Sequence, residues 1–299
     1  MRSPVLFLLL WPLAALGAEL KPIVLDPSCE HDKFVTQPQD IMLKFRAYTV
    51  SFDSADDDDG DEMADVWAIP HWVAHEIKPM ENPPTKGPKR PDWMTIPELR
   101  QVGIAPDDDS YHFSTEWREA HPWSKFLGYD RGHMCQKLHA FRLGPDADWN
   151  THVTLNACPQ RAELNQGIWL DLEGKAAAWA DHSGRSVYVI CGPIIYGRKP
   201  LNWLGQREND EVMVAIPDAF FKIVVRQAEG GRVEVLAFNY PQRGVGYRVK
   251  KPETYNHIPY LTNVDAIEHF TGLDFLTALP DDTEAEAEKK TATELWELP

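Results

Sequence analysis

The alternation of apolar and polar positions divides the chain into short elements. Residues 43–52 (LKFRAYTVSF) carry the β-branched and aromatic bias of a strand. Residues 186–191 (SVYVIC) end at Gly192-Pro193 and predict a buried strand followed by a turn. Residues 212–216 and 220–225 flank Pro217-Asp218 as a pair of strands, and 233–239 form another. An apolar segment at 70–77 (PHWVAHEI) leads into 79–93, whose prolines and lysines predict irregular chain. Residues 163–181 (ELNQGIWLDLEGKAAAWAD) are the most helix-like stretch, and 265–270 begin a short helix punctuated by Gly272. Strands and helices interleave without regular βαβ spacing, which predicts an α+β fold with a mainly antiparallel sheet. There is no internal repeat and no linker, so residues 19–280 read as a single domain. The tail at 281–299, rich in Ala, Glu and Lys, reads as a C-terminal helix or a frayed end.

The first residues change the picture. A short opening with Arg2, an apolar run at 5–16 and small residues at Gly17 and Ala18 follow the order of a secretory signal peptide, expected at 1–18. The run is shorter than the ~20 residues a spanning helix needs. Export to the periplasm or the medium is therefore the expectation, with no membrane association beyond the leader. In an oxidising compartment Cys29, Cys135, Cys158 and Cys191 admit three pairings, and one or two structural disulfides are expected. Their spacing does not suit a zinc ribbon.

The formal net charge of −16 argues against a polyanionic partner. It is unevenly spread, however. Residues 53–65 (DSADDDDGDEMAD) hold eight carboxylates and no base, and 281–299 hold seven against Lys289 and Lys290; without both segments the charge is −3. The run at 53–65 reads as a solvated loop. It fails the calcium-loop order, because Ala55 stands five before Gly60.

On a helical projection of 163–181, Asn165 lies in the middle of an apolar stripe made by Ile168, Trp169, Leu172, Ala176 and Trp179, with Glu173 at its edge. A buried amide must find partners or cost about 1–3 kcal/mol. One reading is a core Asn bonded to backbone. The other is a carbonyl ligand for a hard cation, with Glu173 behind it.

Upstream, residues 129–134 read YDRGHM. A histidine accepts a proton from water near neutral pH. Arg131 beside it can grip a phosphate oxygen, and Gly132 allows close backbone approach. Together with Leu155-Asn156-Ala157-Cys158-Pro159-Gln160, Leu164-Asn165-Gln166, Trp169 and Leu172-Glu173, this run resembles the DNA/RNA non-specific endonuclease family. Pro70-His71-Trp72-Val73-Ala74, Ile190-Cys191-Gly192-Pro193, the stretch 217–222 and Thr271-Gly272-Leu273-Asp274-Phe275 extend the resemblance over roughly 43–277.

The resemblance implies a ββα-metal catalytic core and cleavage of DNA and RNA phosphodiesters with little sequence preference. It implies His133 as general base and Arg131 in charge stabilisation and phosphate binding. Asn165 is then the ligand to Mg²⁺, with Mn²⁺ or another divalent ion as substitutes, Glu173 is a catalytic and metal-site residue acting through metal-bound water, and Asn156 supports substrate binding and site geometry. The chain departs from the family pattern at Val66-Trp67-Ala68-Ile69, where relatives carry an arginine. A disulfide between Cys135 and Cys158 would brace the site.

Other readings carry less. His71 and His75 are four apart, but no Glu follows His71 as a zinc protease requires. His139 reads as helix surface or packing. Arg243, Arg248, Lys250 and Lys251 with Tyr247 form a basic, aromatic stretch suited either to a nucleic-acid backbone or to guarding a strand edge. Two alternatives to an active endonuclease are a catalytically impaired module that binds polyanions or a protein partner, and a phosphodiesterase for small nucleotides. Nothing in the sequence excludes a homodimer.

Overall fold

The computed structural model describes residues 23–35, 41–54, 66–122, 127–197, 199–228, 232–247 and 255–298. The leader expected at 1–18, most of the acidic run at 53–65, and Arg248, Lys250 and Lys251 lie outside the described residues. Among those described, no helix is long and apolar enough to cross a membrane.

In chain order the strands are β1 (Ile41–Lys44), β2 (Thr49–Phe52), β3 (Pro70–Ile77), β4 (Asp130–His133), β5 (Ala157–Gln160), β6 (Val187–Ile194), β7 (Trp203–Leu204), β8 (Val214–Ala215), β9 (Ala219–Gln227), β10 (Val233–Pro241) and β11 (Leu261–Thr262). The helices are α1 (Pro97–Gln101), α2 (Thr115–Ala120), α3 (Lys137–Phe141), α4 (Pro145–Asn150), α5 (Leu170–Ser183), α6 (Val264–Thr271) and α7 (Asp281–Lys289). Seven strands make one antiparallel sheet in the order β1-β2-β3-β6-β9-β10-β11. Beside it lie two ribbons, β4-β5 and β7-β8.

The sheet is covered on both faces, and its middle strands are accordingly almost continuously apolar. In β9, Phe220 and Val224 face the layer that holds α5, while Phe221, Ile223 and Val225 face Phe34, Phe275 and Ile267 of α6. The α+β architecture and antiparallel sheet expected from the sequence are both present. Several elements differ in detail. Residues 43–52 are not one strand but a hairpin, in which Phe45 and Tyr48 exchange backbone hydrogen bonds and stack at 4.6 Å. Burial of those two rings turns the chain where no glycine or proline announces it. Residues 212–216 contribute only the two-residue β8, which pairs with β7, whereas β9 pairs with β6 and β10. Strand β6 continues through Gly192-Pro193, because its pairing with β3 has ended by Cys191 and proline's missing N–H leaves no ladder bond there unmade.

The tail is folded. Beyond α7, Trp296 packs edge-on to Trp179 of α5 at 5.0 Å and its carbonyl accepts from the Trp179 indole at 3.0 Å. The four cysteines are free thiols, so neither the Cys135–Cys158 bridge nor any other expected pairing forms. Cys158 sits opposite Gly132 within the β4-β5 ribbon, while the Cys135 thiol turns toward the carbonyl of Ala47.

The helix expected over 163–181 is broken in phase. Residues 164–169 form a single wide π-helical turn before α5, with non-helical dihedrals at Gly167. A side chain at Gly167 would put Cβ 2.0 Å from the Tyr247 carbonyl oxygen. Gly167→Ala should therefore destabilise the fold by about 1–3 kcal/mol and push the 242–247 loop off the turn, measurable by chemical denaturation. An unchanged midpoint would show that the loop yields freely.

Burial also sets a pH dependence. His139 is held down to about 3 by burial and by Lys222 and Arg142, and His152 to about 4 by burial and by Lys137 and Arg90. Both are neutral when folded and take up a proton on unfolding below their ordinary value of 6.5. Stability should be full above that pH and fall as pH drops from 6.5 toward 4, by about 1.4 kcal/mol per pH unit for each histidine. Denaturation at pH 7.5, 6 and 5 reads the slope, and His152→Gln should make it shallower.

Candidate active site

The site grows from a strand, a strand and a helix. Strand β4 pairs with β5 so that Asp130 faces Gln160, Arg131 faces Pro159, Gly132 faces Cys158 and His133 faces Ala157. Gly132 is needed because the Gln160 side chain lies where a Cβ would be. Alternation along β4 places Arg131 and His133 on one side of the ribbon and Asp130 on the other. The π-helical turn then follows β5 and returns Asn165 to the start of β4.

Asn165 is half-buried, not sunk in the apolar stripe, because the kink at Gly167 breaks the projection that placed it there. Its Nδ2 donates to Asp130 Oδ2 at 2.9 Å, and Gln166 Nε2 donates to the same oxygen at 2.7 Å. With the nitrogen so occupied, the Asn165 carbonyl oxygen is the atom left for another ligand. A neutral carbonyl oxygen beside a carboxylate is a donor set that suits a hard divalent cation.

His133 ends β4. Its ring lies 4.7 Å from that of Trp93 and 4.8 Å, edge-on, from that of His152. Its Nε2 is buried and has no hydrogen-bond partner. Burial, then the proximity of His152, Arg90 and Lys137, holds its pKa well below the usual histidine value. The ring is therefore neutral at pH 7.

Asn156 is fully buried behind this segment. Its Oδ1 accepts from the Cys135 N–H at 2.8 Å, and its Nδ2 donates to the carbonyls of Cys135 at 3.0 Å and Thr151 at 2.9 Å. The side chain is bonded to backbone at both its oxygen and its nitrogen. Its geometry is that of a clamp on the residues just after His133.

Arg131 is held by Asp108. Its Nε forms an ion pair with the carboxylate, its Nη2 donates to the Asp108 carbonyl, and its guanidinium lies 5.4 Å over the Tyr111 ring. A phosphate must share or replace that carboxylate to reach the arginine.

Glu173 is buried in the first turn of α5. Burial raises its carboxyl above the usual range, opposed by Lys222 and by side-chain hydrogen bonds that include Gln136. Lys222 Nζ stands 3.5 Å from Glu173 Oε1. The Glu173 carbonyl accepts from His139 Nε2 at 3.1 Å, and His139 Nδ1 lies 3.1 Å from His75 Nε2. His139 is thus packing, as one of its two expected readings held, and His75 sits on a strand in the core.

Sequence reading missed the wall that 79–93 builds over His133. Trp93 packs at a tilt against both His133 and His152, Arg90 lies within electrostatic reach of both, and Lys137 Nζ ties the segment down through the Pro88 carbonyl at 2.8 Å. Lys86, Lys89 and Arg90 interleaved with Trp93 were a legible signal for a polyanion partner, obscured by the prolines. The opposite correction applies to Tyr247, whose ring is buried among Tyr240 and Tyr260 and is not offered to bases.

Known proteins share this arrangement of sequence. A profile of the DNA/RNA non-specific endonuclease family matches residues 35–282. The chain is 28% identical over 223 residues to a nuclease of Serratia marcescens, covering 74% of this chain and 73% of that protein. It is 28% identical over 173 residues to the mitochondrial endonuclease G of Homo sapiens, covering 57% of this chain and 55% of that protein. A solved structure of an EndoG/EndoGI complex matches with a TM-score of 0.52 at 19% identity, over 82% of this chain and 89% of that chain, a likeness of fold. With the profile spanning most of its length and a ββα nuclease architecture, the chain belongs to the DNA/RNA non-specific endonuclease family.

Proposed function

We propose that the protein is an exported, divalent-metal-dependent endonuclease that hydrolyses DNA and RNA phosphodiesters, with His133 as general base. The observation that carries this reading is a neutral His133 with an unpartnered Nε2, on the same strand as Asp130, whose carboxylate takes the Asn165 nitrogen and leaves the carbonyl oxygen for another ligand.

In this mechanism Asn165 Oδ1 would hold Mg²⁺, or Mn²⁺ in its place, with Glu173 supporting the ion's hydration. When bound, the ion neutralises charge on the scissile phosphate and the leaving oxygen. His133 takes a proton from water as the water oxygen bonds to phosphorus. The P–O ester bond breaks, and the leaving oxygen gains its proton from solvent. Arg131, released in part from Asp108, and Arg90 on the facing wall add positive charge to the phosphate's surroundings. Arg90 then supplies the cation missing at 66–69. Asn156 supports the geometry of the site by fixing the chain just after His133, through two side-chain hydrogen bonds to the Cys135 backbone and one to the Thr151 carbonyl.

The test is cleavage of supercoiled plasmid and of RNA by the chain without its leader, with Mg²⁺ or with EDTA, beside His133→Ala. Cutting should require the metal and fall about 10²–10⁴-fold in the variant, the range for loss of a general base. Binding without cutting would leave an impaired polyanion-binding module. Cutting confined to dinucleotide esters would leave a small-nucleotide phosphodiesterase.

The depressed His133 pKa carries its own prediction. A histidine with the ordinary value of 6.5 would lose half its base form at that pH, whereas kcat/KM here should hold close to its pH 7.5 level at pH 6.5. An acid limb centred at or above pH 6.5 would contradict the assignment of the base.

Export rests on the apolar leader. The secreted product should begin at Glu19, and N-terminal sequencing that returned Met1 would refute cleavage.

A further inference from the structure

We infer that Lys222 is a positioning residue for the nuclease site, its ammonium holding the Glu173 carboxylate where it can serve a cation at Asn165. The inference rests on the nuclease reading above.

Lys222 lies in the middle of β9, flanked by Cys191 on β6 and Phe238 on β10, and is 1% exposed. A lysine there interrupts the apolar run 219–225 of a strand between two packed layers. Its Nζ is 3.5 Å from Glu173 Oε1 and 3.6 Å from the centre of the Trp169 ring. The other titratable groups around it are His75 on β3, His139 on α3, and the thiols of Cys191 and Cys135. The histidines are kept neutral and the thiols protonated by burial. Glu173 is thus the one carboxylate that pairs with Lys222 among the described residues.

A buried ion pair is a poor way to gain stability, since well-packed apolar groups of the same volume commonly do as well or better. What the pair does provide is direction. Trp169 ends the turn that carries Asn165, and Glu173 lies one turn later in α5. Gln136, which hydrogen-bonds Glu173, lies three residues after His133. Lys222 therefore reaches from the rigid sheet to both parts of the helix that bears the proposed ion-binding groups. The cation–π contact with Trp169 fixes the ammonium laterally, and the carboxylate is held against it.

A cycle of Lys222→Met, Glu173→Gln and the double substitution tests this. Mn²⁺ binding without substrate is read by electron paramagnetic resonance. Alongside it are measured the Mg²⁺ concentration for half-maximal plasmid cleavage, kcat at saturating Mg²⁺, and thermal melting without metal. Loss of an outer-shell partner typically costs 10–100-fold in metal affinity or activity. Lys222→Met should weaken Mn²⁺ binding and raise the Mg²⁺ requirement within that range, and the double variant should be no worse than Glu173→Gln alone. If Lys222→Met fails to fold because it strands Glu173, the double variant, with both charges gone, is compared with Glu173→Gln, and equal Mn²⁺ affinity and rate support the inference. A lowered melting temperature with wild-type Mn²⁺ affinity and Mg²⁺ requirement overturns it. So does a double variant whose loss is the product of the single losses. A wild-type protein that neither binds Mn²⁺ nor cuts overturns instead the nuclease reading on which it rests.

Discussion

The hydrogen bond from Asn165 to Asp130 is where the two chain segments of the site meet. It fixes an amide that is ambiguous by nature, since a carboxylate accepts only from the nitrogen end and the carbonyl oxygen must then point elsewhere. The bond depends on the β4-β5 register, because Asp130 begins the strand that His133 ends. A slip of one residue would exchange the two sides of the ribbon and put the aspartate where Arg131 and His133 now stand. Gly132 and Gln160 support that register: a side chain at 132 would have to displace that of Gln160. At the far end Asn156 clamps the chain beyond His133 through both carboxamide atoms. The proposed proton acceptor, His133, and the proposed metal ligand, Asn165, are thus tied to the two ends of one paired strand.

The layer beneath is unusually polar for a core. His75, His139, Glu173 and Lys222 lie between the sheet and α5. Burial pushes each histidine away from its charged form, and the Lys222 charge pushes in the same direction. The result is an interior with one paired cation and one paired anion in an otherwise neutral set. Such a layer is satisfied when both charges are present or both are gone, so its members are coupled and cannot be assessed one at a time.

Much of the fold was legible because its sequence signals are local. The helix expected over 265–270 is α6, ended as expected at Gly272, and β9 and β10 follow their apolar runs. The hairpin at 45–48 was not, because two aromatic rings that bury each other leave no punctuation in the sequence. The residues of the candidate site could be named from the order of Asp130-Arg131-Gly132-His133, Asn156, Asn165 and Glu173, but their geometry could not. Helical projection placed Asn165 in the core because it assumed 100° per residue across Gly167, where the π-helical turn is wider. Asn156 gave no sign that its partners would be backbone, nor Arg131 that Asp108 would hold it, since both contacts join segments distant in sequence. The resemblance supplied identities; only tertiary structure supplies the partners.

Charge shows why local arrangement outweighs composition. A net −16 opposes a polyanion only as far as its carboxylates are felt at the site. In physiological salt an exposed charge is largely screened beyond about 8 Å. Around His133 the near charges are Arg90, Lys137 and Arg131, and two of these already have acidic partners in Asp148 and Asp108. Lys137 is buried and committed to its salt bridge, whereas the Arg131–Asp108 pair is partly exposed, so water and an incoming phosphate can compete for it. In the proposed mechanism a phosphate there would exchange one anion for another at an arginine already oriented by Asp108 and Tyr111, and would gain the Arg90 charge in addition. On this account the acidic partner does not block the site. It keeps the guanidinium in place while no substrate is bound, at the cost of the attraction that Asp108 must surrender.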